Sequence, residues 1–199
     1  MKNFGKLFFA LFLVLMSFSK AQDLPVDLIS VPGPIEFNGS ELLLNWSKQN
    51  SKTLSTQQFL PRDESIEDFT ELLNFSFFNK EIEMEMAVRQ KVEAIQKKAE
   101  NDKFAKVNVT ESPDGNEFIV DYTISEGSEK GEAFVEYNVY RFKQYDNKGA
   151  KSFLILSYSK RMYGEDFKGA SKNFARQRDQ LMTAMIEYKI PEIKLINQK

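Results

Sequence analysis

The chain has 199 residues and contains neither histidine nor cysteine. Without an imidazole, Ser-His-Asp and Cys-His mechanisms are excluded, as is a histidine general base. Without thiols, zinc sites built from Cys and His are excluded as well, and so are disulfides and a lipid-carrying cysteine. Zero cysteines is compatible with a periplasmic protein. Glycine (9) and proline (6) are few, and no glycine-rich phosphate loop is present. Tryptophan occurs once, at Trp46. No block of one charge sign occurs: 27 Lys and Arg are interspersed with 29 Asp and Glu. After the first apolar run, no segment is apolar enough to cross a bilayer.

That first run reads as an export signal. Lys2 and Lys6 supply a positive start, and Leu7 to Met16 is unbroken apolar sequence. Ser19 and Ala21 place small residues before Gln22, the expected new N-terminus. Charge, apolar run and small-x-small site in this order define a cleavable secretory signal over residues 1–21. A spanning helix needs about 20 apolar residues, and Lys20 ends this run too early. The expected localisation is therefore the periplasm or the medium, with no stable membrane span after cleavage.

Cleavage removes Lys2, Lys6 and Lys20, which leaves 24 basic against 29 acidic residues, a net charge of −5. Mild acidity argues against nucleic acid as a partner. A mature chain of this size fits one domain, with residues 22–33 as a short lead-in and 34–199 as the domain. Four N-x-Ser/Thr triplets begin at Asn38, Asn45, Asn74 and Asn108. The last three fall within expected strands or a helix, where glycosylation would not be expected.

Asn38-Gly39 between two apolar runs predicts a hairpin, because both residues tolerate positive φ. A third short strand is expected at 56–60. Ser65-Ile-Glu-Asp68 resembles a capping box, and Ile66, Phe69, Leu72, Leu73 and Phe77 follow at helical spacing, which predicts a first helix. A second is expected over 82–101 and a last over 165–188. Between them the period becomes two, predicting strands at 106–111, 117–124, 132–145 and 151–161. Short turns at 113–116, 127–131 and 146–149 make these antiparallel neighbours. Phe153 to Leu156 is apolar on both faces, as in a centrally placed strand. The expected class is α+β: an antiparallel sheet of six to seven strands packed with three helices in an α-β-α sandwich.

This order of elements resembles the PsbP-like fold, an antiparallel sheet between helical layers found in thylakoid-lumen and bacterial envelope proteins. The resemblance implies binding or assembly rather than catalysis. It rests on element order, so no site residue is carried over.

Residue chemistry points the same way. Ser157-Tyr-Ser-Lys160 matches S-x-x-K, but in a strand positions i and i+3 point to opposite faces. Glu117, Asp121 and Glu136 are the acids a glycoside-hydrolysing pair could draw on, and they also read as ordinary surface acids. The turns at 113–116 and 146–149 lack the ligand repeat of a calcium loop. No metal site and no cofactor are expected. Trp46 reads as a core residue. One cluster is a candidate binding surface and reads equally as cross-strand aromatic packing with solvated cations: Tyr140, Arg141, Lys143 and Tyr145 on one strand, and Tyr158, Lys160, Arg161 and Tyr163 on the next. Tyr and Arg favour such surfaces. Pairing through the 146–149 turn is expected to gather them near one end of the sheet. The expected function is an exported, non-catalytic binding or assembly domain for a protein partner, an envelope polymer or a small ligand. The alternative is a carboxylate-dependent hydrolase acting on envelope glycans or peptides.

Overall fold

A computed structural model describes residues 25–127, 133–147, 149–164 and 169–196. The expected signal at 1–21, most of the turn at 127–131 and the expected start of the last helix at residue 165 lie outside these.

The elements run β1 (Ile35–Phe37), β2 (Ser40–Gln49), β3 (Leu54–Leu60), β4 (Glu71–Phe78), α1 (Met84–Ala99), β5 (Lys106–Glu111), β6 (Glu117–Glu126), β7 (Phe134–Asn147), β8 (Ala150–Tyr163) and α2 (Ala170–Glu187). All eight strands form one antiparallel sheet, ordered β1-β2-β3-β4-β8-β7-β6-β5. Two four-stranded meanders meet at the β4–β8 seam. Helix α1 carries the chain from the centre of the sheet to its far edge, and β5 to β8 wind back.

This corrects the expected architecture: among the described residues, eight strands and two helices stand in place of six to seven strands and three helices. The segment expected as the first helix is β4. Its capping chemistry is real but local. Ser65 Oγ donates to Asp68 Oδ1 at 2.5 Å and accepts from the Glu67 amide at 3.3 Å, closing a turn that no helix follows. Ile66 and Phe69 fold down with Leu60 and Leu72 into a satellite core. Leu73, Phe75 and Phe77 then alternate into the main core at period two. The element order behind the PsbP-like resemblance is accordingly not the observed one.

Strand alternation sorts the side chains onto two faces. On β7, Val135, Tyr137 and Val139 join the larger core, whereas Phe142 joins the second; on β8, Leu154, Leu156 and Tyr158 join the first and Phe153 the second. Helix α2 seals the first face with Phe174, Leu181 and Met185, and α1 seals part of the other with Met84, Val88 and Ile95. Burying an apolar side chain of this size contributes about 1.5–3 kcal/mol relative to exposure. Strand β8 is buried on both faces at the middle of the sheet, where its apolar run places it.

Asn38 and Gly39 take positive φ (49° and 84°) in a two-residue hairpin loop that pairs Phe37 with Ser40. The lead-in is bound to the α2 face. Leu28, Ile29 and Val31 are buried in the main core. Buried Gln57 accepts from the amides of Leu28 and Ile29 and donates to the Val31 carbonyl at 2.9 Å. The tail closes over the same segment, with the Lys194 and Ile196 amides donating to Ile29 and Leu28 at 3.1 and 3.0 Å. Gly33 has φ of 76°, and a Cβ there would lie 3.3 Å from the Phe59 ring, so this corner requires glycine.

Candidate functional site

The expected cluster divides between the two faces and along the β7–β8 hairpin. Tyr145 stands opposite Ser152 near the turn, and Tyr163 opposite Phe134 at the other end. On the α2 face, Arg141 donates to Glu117 Oε2 at 2.5 Å. Its Nη1 reaches the carbonyls of Met185, Ile186 and Tyr188 at 2.9–3.1 Å, capping α2. Lys143 also pairs with Glu117. Burial would raise the Glu117 carboxyl, but the hydrogen bonds and charges of Arg141 and Lys143 outweigh it and hold it below its ordinary value. The Tyr145 hydroxyl accepts from the Ile193 amide at 2.9 Å and donates to the Pro191 carbonyl at 3.4 Å. Lys160 Nζ lies 3.1 Å from Glu71 Oε1. Tyr158 is fully buried, and burial first, then the Glu71 charge, pushes its hydroxyl far up. These five residues hold the structure together.

Tyr140, Arg161 and Tyr163 lie on the α1 face. The Arg161 guanidinium is sandwiched between the rings of Phe69 (3.7 Å) and Phe134 (4.0 Å), and its Nε donates to Glu136 Oε2 at 2.6 Å. The Tyr163 hydroxyl donates to the Phe69 carbonyl at 2.8 Å. Both residues therefore clamp the 61–70 loop onto the sheet. From Glu136 a bonded chain runs through Asn138 (2.8 Å) to Ser159 (2.6 Å).

Beyond this loop the α1 face carries a row that sequence reading did not anticipate. The pairings Trp46↔Gln58, Gln58↔Asn74, Asn74↔Ser157 and Ser157↔Tyr140 place five side chains in line across β2, β3, β4, β8 and β7. Four strand spacings of about 4.8 Å make the row about 19 Å long. None of the five is charged. Neither α1 nor α2 crosses β3 or β4, so this part of the face is bounded by α1 at the Tyr140 end and by the 61–70 loop alongside.

At the opposite end the row opens into a groove of about 430 Å³ lined by Asn45, Trp46 and Gln58 and by the loop residues Glu64 to Glu67. Trp46 is 36% exposed, which corrects its expected place in the core. The cause is a β-bulge. Leu44 pairs with Phe59 and Trp46 with Gln58, so Asn45 is an extra residue that turns Trp46 to the α1 face. Among the described residues, the Trp46 indole N–H and the Gln58 amide have no hydrogen-bond partner. Asn74 donates to Ser76 Oγ at 3.1 Å and to Ser157 Oγ at 3.4 Å. At the Tyr140 end, Lys91 Nζ sits 4.0 Å from the Tyr140 ring centroid and 5.6 Å from that of Tyr122.

A smaller cavity of about 170 Å³ lies between the sheet and α2. Asp121, 1% exposed, accepts a two-point contact from Arg178 (2.7 and 2.8 Å), with Tyr137 and Asn108 each at 3.2 Å. Burial first, then the Asp121 charge, drives the Tyr137 hydroxyl far up, while the hydrogen bond to Asp121 raises Arg178. This carboxylate is saturated. Glu117 and Asp121 point to the α2 face and Glu136 to the other, and each has its own arginine. Ser157 and Lys160 also point to opposite faces: Ser157 joins the row and Lys160 pairs with Glu71. Among the described residues, no group of three acids could hold a metal ion, and no helix is long and apolar enough to cross a membrane.

Sheet, helices and row together define a single-sheet domain with a helix on each face and, on one of them, a polar row that is exposed at its Trp46 end. The chain belongs to the protein family whose model matches residues 29–190, a span that takes in both meanders and both helices. Nothing in that match links it to the PsbP-like fold. No curated protein and no solved structure matches the chain.

Proposed function

We propose that the chain is exported on its N-terminal signal and works outside the cytoplasm as a non-catalytic binding domain, with the α1-face row as its binding surface. The observation that carries this reading is a contrast in how polar groups are used. The buried acids of the sheet are matched by cations, whereas the row ends in an exposed indole and an amide with unspent hydrogen-bonding capacity. An exposed aromatic flanked by unpartnered polar groups is how recognition surfaces are built. The three acids weighed for a carboxylate-dependent hydrolase do not form a catalytic set, because Glu136 stands on the face opposite Glu117 and Asp121 and each of the three is ion-paired.

Two measurements test the reading. Mass analysis of the exported product should begin at Gln22, and retention of Met1 to Ala21 would overturn the export step. Titration of the folded mature protein with fractionated envelope polymers should change the emission of its single tryptophan. Silence against every fraction would overturn the binding role.

A further inference from the structure

We infer that the ligand of the row is an uncharged oligosaccharide, lying across the strands with one ring stacked on Trp46; this rests on the binding role proposed above. The chemistry of the five side chains favours this class. Among them an indole, two carboxamides and a phenol offer both donors and acceptors and no net charge, while the Ser157 hydroxyl is buried and accepts from Asn74. Vicinal sugar hydroxyls need that alternation, and planar amides supply a donor and an acceptor side by side. The C–H face of a pyranose carries partial positive charge and packs on the electron-rich face of an exposed indole. Trp46 supplies that face at the open end of the groove, beside the free Gln58 amide and the carbonyl oxygen of Asn45.

Direction and length favour the same ligand class. The row crosses the strands instead of following an edge, so an extended peptide laid along it would gain no backbone ladder. Its length of about 19 Å suits a chain of several sugars better than a single one. Polyanions are disfavoured, because the row itself carries no charge and the carboxylates of Glu64 and Glu67 line the groove beside Trp46, with the single cation Lys91 at the Tyr140 end.

The test uses the mature protein and the fluorescence of its only tryptophan. Probes are di-, tetra- and hexasaccharides of glucose, N-acetylglucosamine, xylose and mannose, with an oligoproline peptide and a polyuronate as competitors. At least one neutral series should shift Trp46 emission saturably. Affinity should rise from di- to tetrasaccharide, and the salt dependence should be negligible. Gln58→Ala and Asn74→Ala should each weaken binding by about tenfold or more, because each leaves sugar hydroxyls unpaired. Trp46→Phe should retain part of the affinity, and Trp46→Ala should abolish it while keeping the wild-type urea midpoint; both are read by calorimetry. Emission shifts with the peptide or the polyuronate but no neutral glycan would overturn the saccharide assignment and leave the binding role standing. Binding that survives Trp46→Ala would overturn the location. Saccharide binding accompanied by glycan cleavage would keep the ligand class and overturn the non-catalytic reading.

Discussion

Single side chains in this molecule divide into those that are saturated and those left open, and the saturated ones control stability. Arg141 is the clearest case. Its guanidinium serves Glu117 with one edge and three carbonyls at the end of α2 with another. A lysine carries one compact charge and cannot make that fork. Arg141→Lys should therefore be nearly as damaging as Arg141→Ala, each costing about 2–3 kcal/mol in urea unfolding. Recovery of most of that loss by lysine would show that charge alone suffices there. Asp121 is a second case. Asp121→Ala removes the acceptor of Tyr137 and Asn108 and leaves the partly exposed Arg178 with Asp179 alone, and should cost about 1–3 kcal/mol. The double variant Asp121→Ala with Arg178→Met should recover part of this, because the guanidinium edge that faced Asp121 is then removed with its partner. A strictly additive pair would contradict that coupling.

At the level of elements, the 61–70 loop is tied to the sheet by a few identifiable bonds. Tyr163→Phe deletes the 2.8 Å bond to the Phe69 carbonyl and a long 3.5 Å contact accepted from Arg161 Nη1. It should cost about 1 kcal/mol and speed amide exchange over residues 64–70, leaving β4 and β8 protected. Uniform acceleration across the sheet would mean that loop and sheet open together. A second tie joins the end of α1 to β6: Asp102 accepts from the Ser125 amide (2.6 Å), the Ser125 hydroxyl (2.7 Å) and the Phe104 amide (2.9 Å). Burial opposes ionisation here, but the Ser125 and Phe104 hydrogen bonds outweigh it, so the carboxyl sits below its ordinary value. A carboxyl lowered on folding stabilises fully above its unfolded pKa of about 3.9, and that stability fades as pH falls through the lower folded value. Asp102→Asn should thus be less stable than wild type at neutral pH and converge on it in acid. A constant gap at every pH would show that the tie does not depend on charge.

The same scale explains what the sequence could and could not disclose. Strands β5 to β8 were legible because period two runs unbroken between short turns, and the β1–β2 hairpin because Asn38-Gly39 admits one local geometry. β4 was not. Ile66 and Phe69 belong to a satellite core beneath a loop, yet they extend the Leu72-Leu73-Phe77 spacing into a helix-like stripe. The alternation of Leu73, Phe75 and Phe77 was present but concealed by that overlap. Trp46 was misplaced for a different reason: one inserted residue at a bulge reverses the face of everything after it, and no local pattern announces the bulge. The row itself draws on residues 46, 58, 74, 140 and 157, so only strand register assembles it. For the same reason the Tyr140–Tyr163 cluster dispersed. Adjacency of its two segments was foreseeable, but their opposite ends along the hairpin and their alternate faces follow from the register of β7 and β8.

For the molecule as a whole, the two cores enclose tyrosines on both sides of the sheet, and this sets an alkaline limit. The hydroxyls of Tyr122, Tyr137, Tyr158 and Tyr188 are all raised, in each case first by burial. Neighbouring groups add to this: Tyr140 and Glu136 at Tyr122, Asp121 at Tyr137 and Glu71 at Tyr158. Above about pH 10 the unfolded chain releases these protons, whereas the folded chain retains them. The native state then binds more protons than the unfolded one, so the derivative of unfolding free energy with pH is negative and stability falls as pH rises. Each buried tyrosine that must ionise on unfolding steepens the fall by about 1.4 kcal/mol per pH unit. In an alkaline titration followed by tyrosinate absorbance, these four of the seven tyrosines should ionise together with the loss of sheet circular dichroism, in one cooperative step. Tyr158→Phe removes a buried hydroxyl that has no partner meeting hydrogen-bond geometry. It should move that step to higher pH without weakening the fold at neutrality. Gradual ionisation of all seven tyrosines ahead of any loss of sheet signal would mean that the two cores admit water while the sheet is still intact.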